Sequence, residues 1–195
     1  MLDILEKKRG WMPNEDECRS VLSAERMSKD TREHSMRVKN HVRDIVNEAL
    51  DNGWPINMPV AITGAWLHDS GKHEDQKLWV HAYNGYELLK NKYRINAEVY
   101  EIAKRHIAMP EEWVRKLDIN IPVGDYMPHT VEQYIVCYCD KMDGEESVRE
   151  YIKAGRKFFN KNFRKDFSKF HGDFSITLTR KISKYRNEKY HRGRH

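Results

Sequence analysis

Apolar residues in this chain recur at threes and fours over most of its length, and that period constrains the fold before anything else does. Asp30-Thr31-Arg32-Glu33 offers a capping start, with a Glu three residues after the Asp. From there Val38, Val42, Ile45, Val46 and Ala49 repeat at helical spacing to Leu50. Asn52-Gly53-Trp54-Pro55 stops this helix, because Gly accepts a left-handed cap and Pro cannot continue. A second helix is predicted from Pro59, which suits a first turn, to His68, and Asp69-Ser70-Gly71-Lys72 breaks it. Further helices are predicted over 81–92, 96–108 and 129–151, with one or two more between 155 and 188. Residues 109–128, with Pro110, Pro122, Gly124 and Pro128, read as loop. Phe174–Thr179 alternates as a strand would, yet Phe174, Leu178 and Ile182 also lie four apart, and we assign it to helix. The expectation is an all-α chain. Its parts are an N-terminal helical flank over 1–29, a compact bundle over 30–151, and a basic helical C-terminal extension over 152–195 that packs on the bundle.

With 195 residues and 39% hydrophobic content, the chain has enough apolar surface for a full core and too much for a disordered polypeptide. No stretch approaches the ~18 apolar residues that span a bilayer, and the start, MLDILEKKRGW, lacks a secretory apolar core. No membrane partner and a cytoplasmic location are expected. Cys18, Cys137 and Cys139 are odd in number and form no CxxC pair, so they read as reduced, packed thiols.

Net charge is +5, but its distribution says more. Residues 152–195 hold fourteen Lys or Arg against three Asp or Glu, whereas residues 1–151 hold 21 against 27. An acidic body with a basic tail points to a polyanionic substrate, or to weak nucleic-acid contact through the tail. Phe159, Phe163, Phe167, Phe170 and Phe174 recur at helical spacing there, and read as a docking stripe rather than a base-stacking platform.

The chemistry lies in the ten histidines and where they fall. His34 sits early in the first predicted helix; His68 and Asp69 are adjacent where a buried helix ends. His81 begins one helix, His106 ends another, and Asp140 lies in the apolar run Tyr134-Ile-Val-Cys-Tyr-Cys-Asp. Adjacent helical side chains point about 100° apart, but at a terminus they can converge. A buried His and Asp need partners, and a metal ion satisfies both. His41, His73, His129 and His171 read as ordinary histidines outside the site; His41 lies two turns, ~10 Å, from His34.

These residues resemble the HD-domain metal-dependent phosphohydrolases. The matching stretches are His34-Ser-Met-Arg-Val, Leu67-His68-Asp69-Ser-Gly71-Lys72, His81-Ala-Tyr-Asn-Gly85, Ala103-Lys-Arg-His106 and Ile135-Val-Cys-Tyr-Cys-Asp140, within residues 31–143. The resemblance implies a metal site of His34, His68, Asp69 and Asp140, extended by His81 and His106 to two ions bridged by Asp69. That donor set suits Fe or Mn, with Co, Ni or Zn as further choices. Lys72 and Arg37 are the cations placed to meet a phosphoryl group, with Asp69, Lys72 and Arg37 as the catalytic set. The activity implied is hydrolysis of a phosphoester or phosphoanhydride of a nucleotide by a metal-activated hydroxide. Candidate substrates are a dinucleoside polyphosphate, a cyclic nucleotide or a nucleotide phosphate. The alternatives within the resemblance are a mixed-valence di-iron oxygenase, which uses the same six residues, and a mononuclear deoxynucleotide phosphatase. A homodimer is compatible with all of these.

Overall fold

A computed structural model describes residues 10–51, 56–73, 80–117 and 120–143. The basic extension over 152–195, its Phe stripe and the Asn52–Pro55 stop lie outside the described residues. Within them the chain is helical, with no strand and two isolated bridges, Trp11 to Ile95 and Met109 to Tyr126.

α1 (Glu15–Ala24) starts at a capping box: Asn14 Oδ1 accepts from Glu17 N at 3.0 Å, and Asn14 N donates to Glu17 Oε2 at 2.9 Å. α2 (Lys29–Asp51) is capped by Ser28, whose Oγ accepts from Thr31 N at 3.1 Å, two positions before the Asp30 start read from sequence. α3 (Met58–Leu67) carries Pro59 in its first turn behind an Asn57 cap. Val60, Ala61, Thr63, Gly64, Ala65, Trp66 and Leu67 are all buried, leaving α3 no polar face, and α1, α2, α5 and α7 pack around it. A single 3-10 turn follows at Ser70–His73.

α4 (Val80–Glu87) runs on into a π-helical turn at Leu88–Lys92, and α5 (Ala97–Arg105) stops short of His106. The 109–128 stretch, read as loop, contains α6 (Glu111–Leu117), with Glu111 and Glu112 placed at its positive end. α7 (Val131–Met142) begins at a Thr130–Gln133 capping box. Residues 144–151 of the predicted 129–151 helix are outside the described set.

Three turns use the left-handed region without glycine: Arg26, Arg94 and Ala108, at φ 52°, 53° and 52°. Each costs roughly 1–2 kcal/mol relative to glycine-like freedom. At Arg26 the return is a Schellman closure, with Met27 N bonded to Leu22 O and Arg26 N to Ser23 O, both at 3.0 Å. The core joins α1 to the rest: Cys18, Val21 and Leu22 belong to the same buried cluster as Val38, Val42, Leu67, Leu89, Ile102 and Val136. The N-terminal helix is therefore part of the packed body.

Two glycines set how closely elements approach the site. A Cβ on Gly71 would lie 2.0 Å from the backbone oxygen of His81 and 2.3 Å from Gly85 N. The turn and α4 meet backbone to backbone there, and that contact carries His81 up to Asp69. A Cβ on Gly64 would meet one side chain, Ile102, at 2.3 Å from Cδ1, 3.0 Å from Cγ2 and 3.2 Å from Cβ. Gly71→Ala is therefore expected to cost about 3 kcal/mol, a drop of roughly 6–10 °C in Tm. Gly64→Ala should cost less, about 1 kcal/mol, and recover in part when Ile102 is shortened to Val, which removes the nearest atom. A Gly71→Ala melt indistinguishable from the parent would refute the close-approach account.

Candidate metal centre

Helix ends supply most of the centre, where side chains adjacent in sequence can turn to one target. His68 caps α3 and Asp69 follows it; His106 caps α5; His81 is the second residue of α4. His34 comes from the second turn of α2 and Asp140 from the last turn of α7. His68, Asp69, His81 and His106 are buried. His34 and Asp140 keep 19% of their side chains exposed, so the centre opens between α2 and α7.

The six residues converge as two groups, His34 with His68 and Asp140, and Asp69 with His81 and His106. In the first, His34 Nε2 lies 3.2 Å from His68 Nε2 and 3.0 Å from Asp140 Oδ1, and His68 Nε2 lies 3.4 Å from that oxygen. In the second, His81 Nε2 and His106 Nε2 are 3.0 Å apart. Asp69 links them. Its Oδ2 is 3.4 Å from both His34 Nε2 and His68 Nε2, while its Oδ1 is 3.3 Å from His81 Nε2 and 3.5 Å from His106 Nε2. Donors bound to one ion at ~2.1 Å stand ~3.0 Å apart in an octahedron and ~3.4 Å in a tetrahedron. The separations here have that size, and the imidazole and carboxylate donors suit a divalent transition metal.

Outer hydrogen bonds turn the rings inward. His68 Nδ1 donates to Ala65 O at 2.8 Å and His106 Nδ1 to Ala103 O at 2.7 Å, each the carbonyl three residues back. His34 Nδ1 donates to Asp143 Oδ2 at 2.7 Å. These bonds hold a proton on Nδ1 and turn Nε2 inward. His81 differs: its buried Nδ1 has no hydrogen-bond partner among the described residues.

The charges are strongly coupled. Burial works against the Asp69 carboxylate, but the charges of Lys72 and His68 hold it well below the usual carboxylate range. Asp140 is likewise disfavoured by burial and held low by its bonds to His34 and His68. Burial pulls His68 down, yet Asp69 and Asp140 raise it to about 10; burial pushes His106 down to about 4, so that ring is neutral. Lys72 Nζ bonds Asp69 Oδ2 at 2.5 Å and stays protonated, because the pull of Asp69 and Asp140 outweighs its desolvation.

Arg37 stands elsewhere than a free phosphate contact would. Its Nε bonds Asp143 Oδ1 and its Nη2 bonds Asp143 Oδ2, both at 3.0 Å, giving the chain Arg37–Asp143–His34. Asp143 was not singled out from sequence; its signal is the spacing of three from Asp140, which puts both on one face at the end of α7. Lys141 was also passed over; its Nζ bonds the carbonyl of His106 at 2.8 Å and closes the C-terminus of α5. His41 is exposed, and His129 pairs with Asp125 at 2.6 Å, away from the centre. The His73 side chain and His171 lie outside the described residues. Cys137 and Cys139 are buried free thiols, and buried Tyr126 bonds Pro122 O at 3.0 Å.

Among known proteins, a tRNA (cytidine(56)-2'-O)-methyltransferase of Picrophilus torridus is 28% identical over 156 residues, 78% of this chain and 42% of the relative. One of the same name from Thermoplasma volcanium is 28% identical over 105 residues, 53% of this chain and 30% of the relative. An uncharacterized protein of Methanocaldococcus jannaschii is 24% identical over 138 residues, 69% of this chain and 80% of the relative. The chain thus spans less than half the length of either methyltransferase. No solved structure matches it. No helix among the described residues is long and apolar enough to cross a membrane. The HD domain family model matches residues 31–145, the segment that holds all six converging residues, and the chain belongs to the HD-domain family.

Proposed function

We propose that this protein is a metal-dependent phosphohydrolase acting on a nucleotide phosphate, with two ions held by His34, His68 and Asp140 on one side and His81 and His106 on the other. The observation that carries the reading is Asp69, whose two oxygens face different histidine pairs, the disposition a bridging carboxylate needs. The same observation favours two ions over the mononuclear phosphatase. When bound, the ions supply an activated water and polarise a phosphoryl oxygen.

The chain's own residues then orient and neutralise. Lys72 Nζ occupies Asp69 Oδ2, the oxygen the first ion would need. An ion on that oxygen would free Lys72 from the carboxylate, and its partly exposed ammonium would then be available to substrate phosphate. Arg37 acts mainly through Asp143, holding the carboxylate that aims His34. Iron and manganese are the preferred ions for this mixed imidazole and carboxylate set. The names of two relatives add an RNA context, and within the nucleotide class they favour a phosphate carried on a ribonucleotide. Methyl transfer is not part of the reading, because the named proteins extend far beyond the part this chain matches.

Product masses from a pooled panel of mono-, di- and triphosphates, dinucleoside polyphosphates, cyclic nucleotides and short oligoribonucleotides, with Mn²⁺ or Fe²⁺, test this directly. Cleavage is expected in the parent and lost by at least ~10³-fold in Asp69→Ala, which removes the bridge. Turnover unchanged in that variant would place the chemistry elsewhere. Silence across the panel, together with two bound irons and oxygen uptake, would move the assignment to the di-iron oxygenase.

A second expectation concerns pH. His68 carries a proton in the metal-free protein and must lose it to become a donor, so loading releases about one proton and metal affinity rises about tenfold per pH unit across neutrality. Calorimetry in two buffers of different ionisation enthalpy reads the proton count. Buffer-independent binding with flat affinity between pH 6.5 and 7.5 would contradict it.

A further inference from the structure

The two halves of the centre are not built alike. His34 is held by the Asp143 carboxylate, itself gripped by two bonds from Arg37, and His68 is held by a backbone carbonyl. In the other half His106 has its carbonyl, but His81 Nδ1 is buried and finds no hydrogen-bond partner among the described residues. An outer partner fixes the ring and raises the basicity of the inward nitrogen, and losing one weakens metal binding by roughly 10–100-fold. The donor counts differ in the same direction. Among the described residues the first half offers two imidazoles, Asp140 Oδ1 and Asp69 Oδ2, and the second offers two imidazoles and Asp69 Oδ1. The second half also carries less negative charge, since Asp140 groups with His34 and His68, and it is the more deeply buried. A divalent cation there has fewer charges to replace its lost hydration.

We propose that the centre fills in order: an ion on His34, His68, Asp140 and Asp69 binds first and stays, with Asp143 positioning His34 for it. The ion on His81 and His106 binds last and exchanges. This rests on the two-ion reading above and adds to it which ion is labile and which residue outside the donor set governs the tight one. Activity then follows occupancy of the second half, so the metal concentration around the protein sets turnover while the first ion remains.

The test is a titration of chelator-stripped full-length protein with Mn²⁺ alone. Free ion is followed by its electron paramagnetic resonance signal, and retained metal is counted by mass spectrometry after desalting. The parent is expected to keep one ion per chain through desalting and to bind a second roughly 10–100-fold more weakly, with a spin-coupled signal appearing only at the second equivalent. His81→Ala should keep the tight ion and lose the weak one. Asp143→Asn is isosteric and leaves every proposed donor in place; it should weaken the first ion by roughly 10–100-fold. Arg37→Ala, which keeps the carboxylate but frees it, should give a smaller loss of the same ion. Melts by circular dichroism establish that each variant is folded.

Two ions of equal affinity in the parent would overturn the ordered filling and leave the two-ion reading standing. So would loss of the tight ion in His81→Ala with Asp143→Asn unaffected. A parent that never binds more than one ion, with His81→Ala identical to it, would remove the two-ion reading itself.

Discussion

One buried carboxylate organises this protein. Asp69 is almost wholly removed from water yet ionised, and an isolated charge in such a place would cost several kcal/mol. The fold answers with cations and donors drawn from every side: Lys72 from its own turn, His34 from α2, His68 from the end of α3, His81 from α4 and His106 from α5. Those contacts require α2, α4 and α5 to arrive at the end of α3 within hydrogen-bond reach. The apolar helix α3 at the middle of the core and the bare backbone at Gly71 are what let them do so.

Much of this arrangement was legible because its parts obey local rules. Helix α2 and the start of α3 follow from periodicity and capping chemistry, and the six converging residues sit where the HD-type spacing places them. What stayed hidden depends on partners distant in sequence or on backbone geometry that leaves no compositional mark. Ala108 uses the left-handed region without the glycine that would announce a stop, and the helix expected to run to 108 ends at Arg105. In the sequence Gly71 reads as part of the break after α3, whereas its structural demand is room for the backbone of α4. α6 follows Pro110 in a stretch whose other prolines argued for loop.

Arg37 shows the same limit at the level of chemistry. A cation three residues after a metal-type histidine reads as an anion contact, because its face is right and its partner is unknown. The partner lies 106 positions along the chain, and with it the guanidinium becomes the outermost link of a chain ending on His34. A bidentate bond of this kind fixes both planes, which suits Arg better than Lys. The cation is thereby committed to geometry, and Lys72, with its compact ammonium and flexible stem, is the one able to change partners.

That division bears on how the protein tolerates an empty centre. In small metal-dependent domains the ion supplies the folding energy, since nothing else neutralises the ligands. Here the neutralisation is already internal: protonated His68 and Lys72 face Asp69, His68 also faces Asp140, and Arg37 faces Asp143. The hydrophobic cluster that spans α1, α2, α3, α5 and α7 is formed by side chains other than these. A metal ion would therefore enter a folded body and replace cations already standing in its place. The fold pre-pays the organisation of the donors, and loading would change which positive charge each carboxylate holds. In the function proposed above, Lys72, bonded to Asp69, is the cation that this exchange would set free.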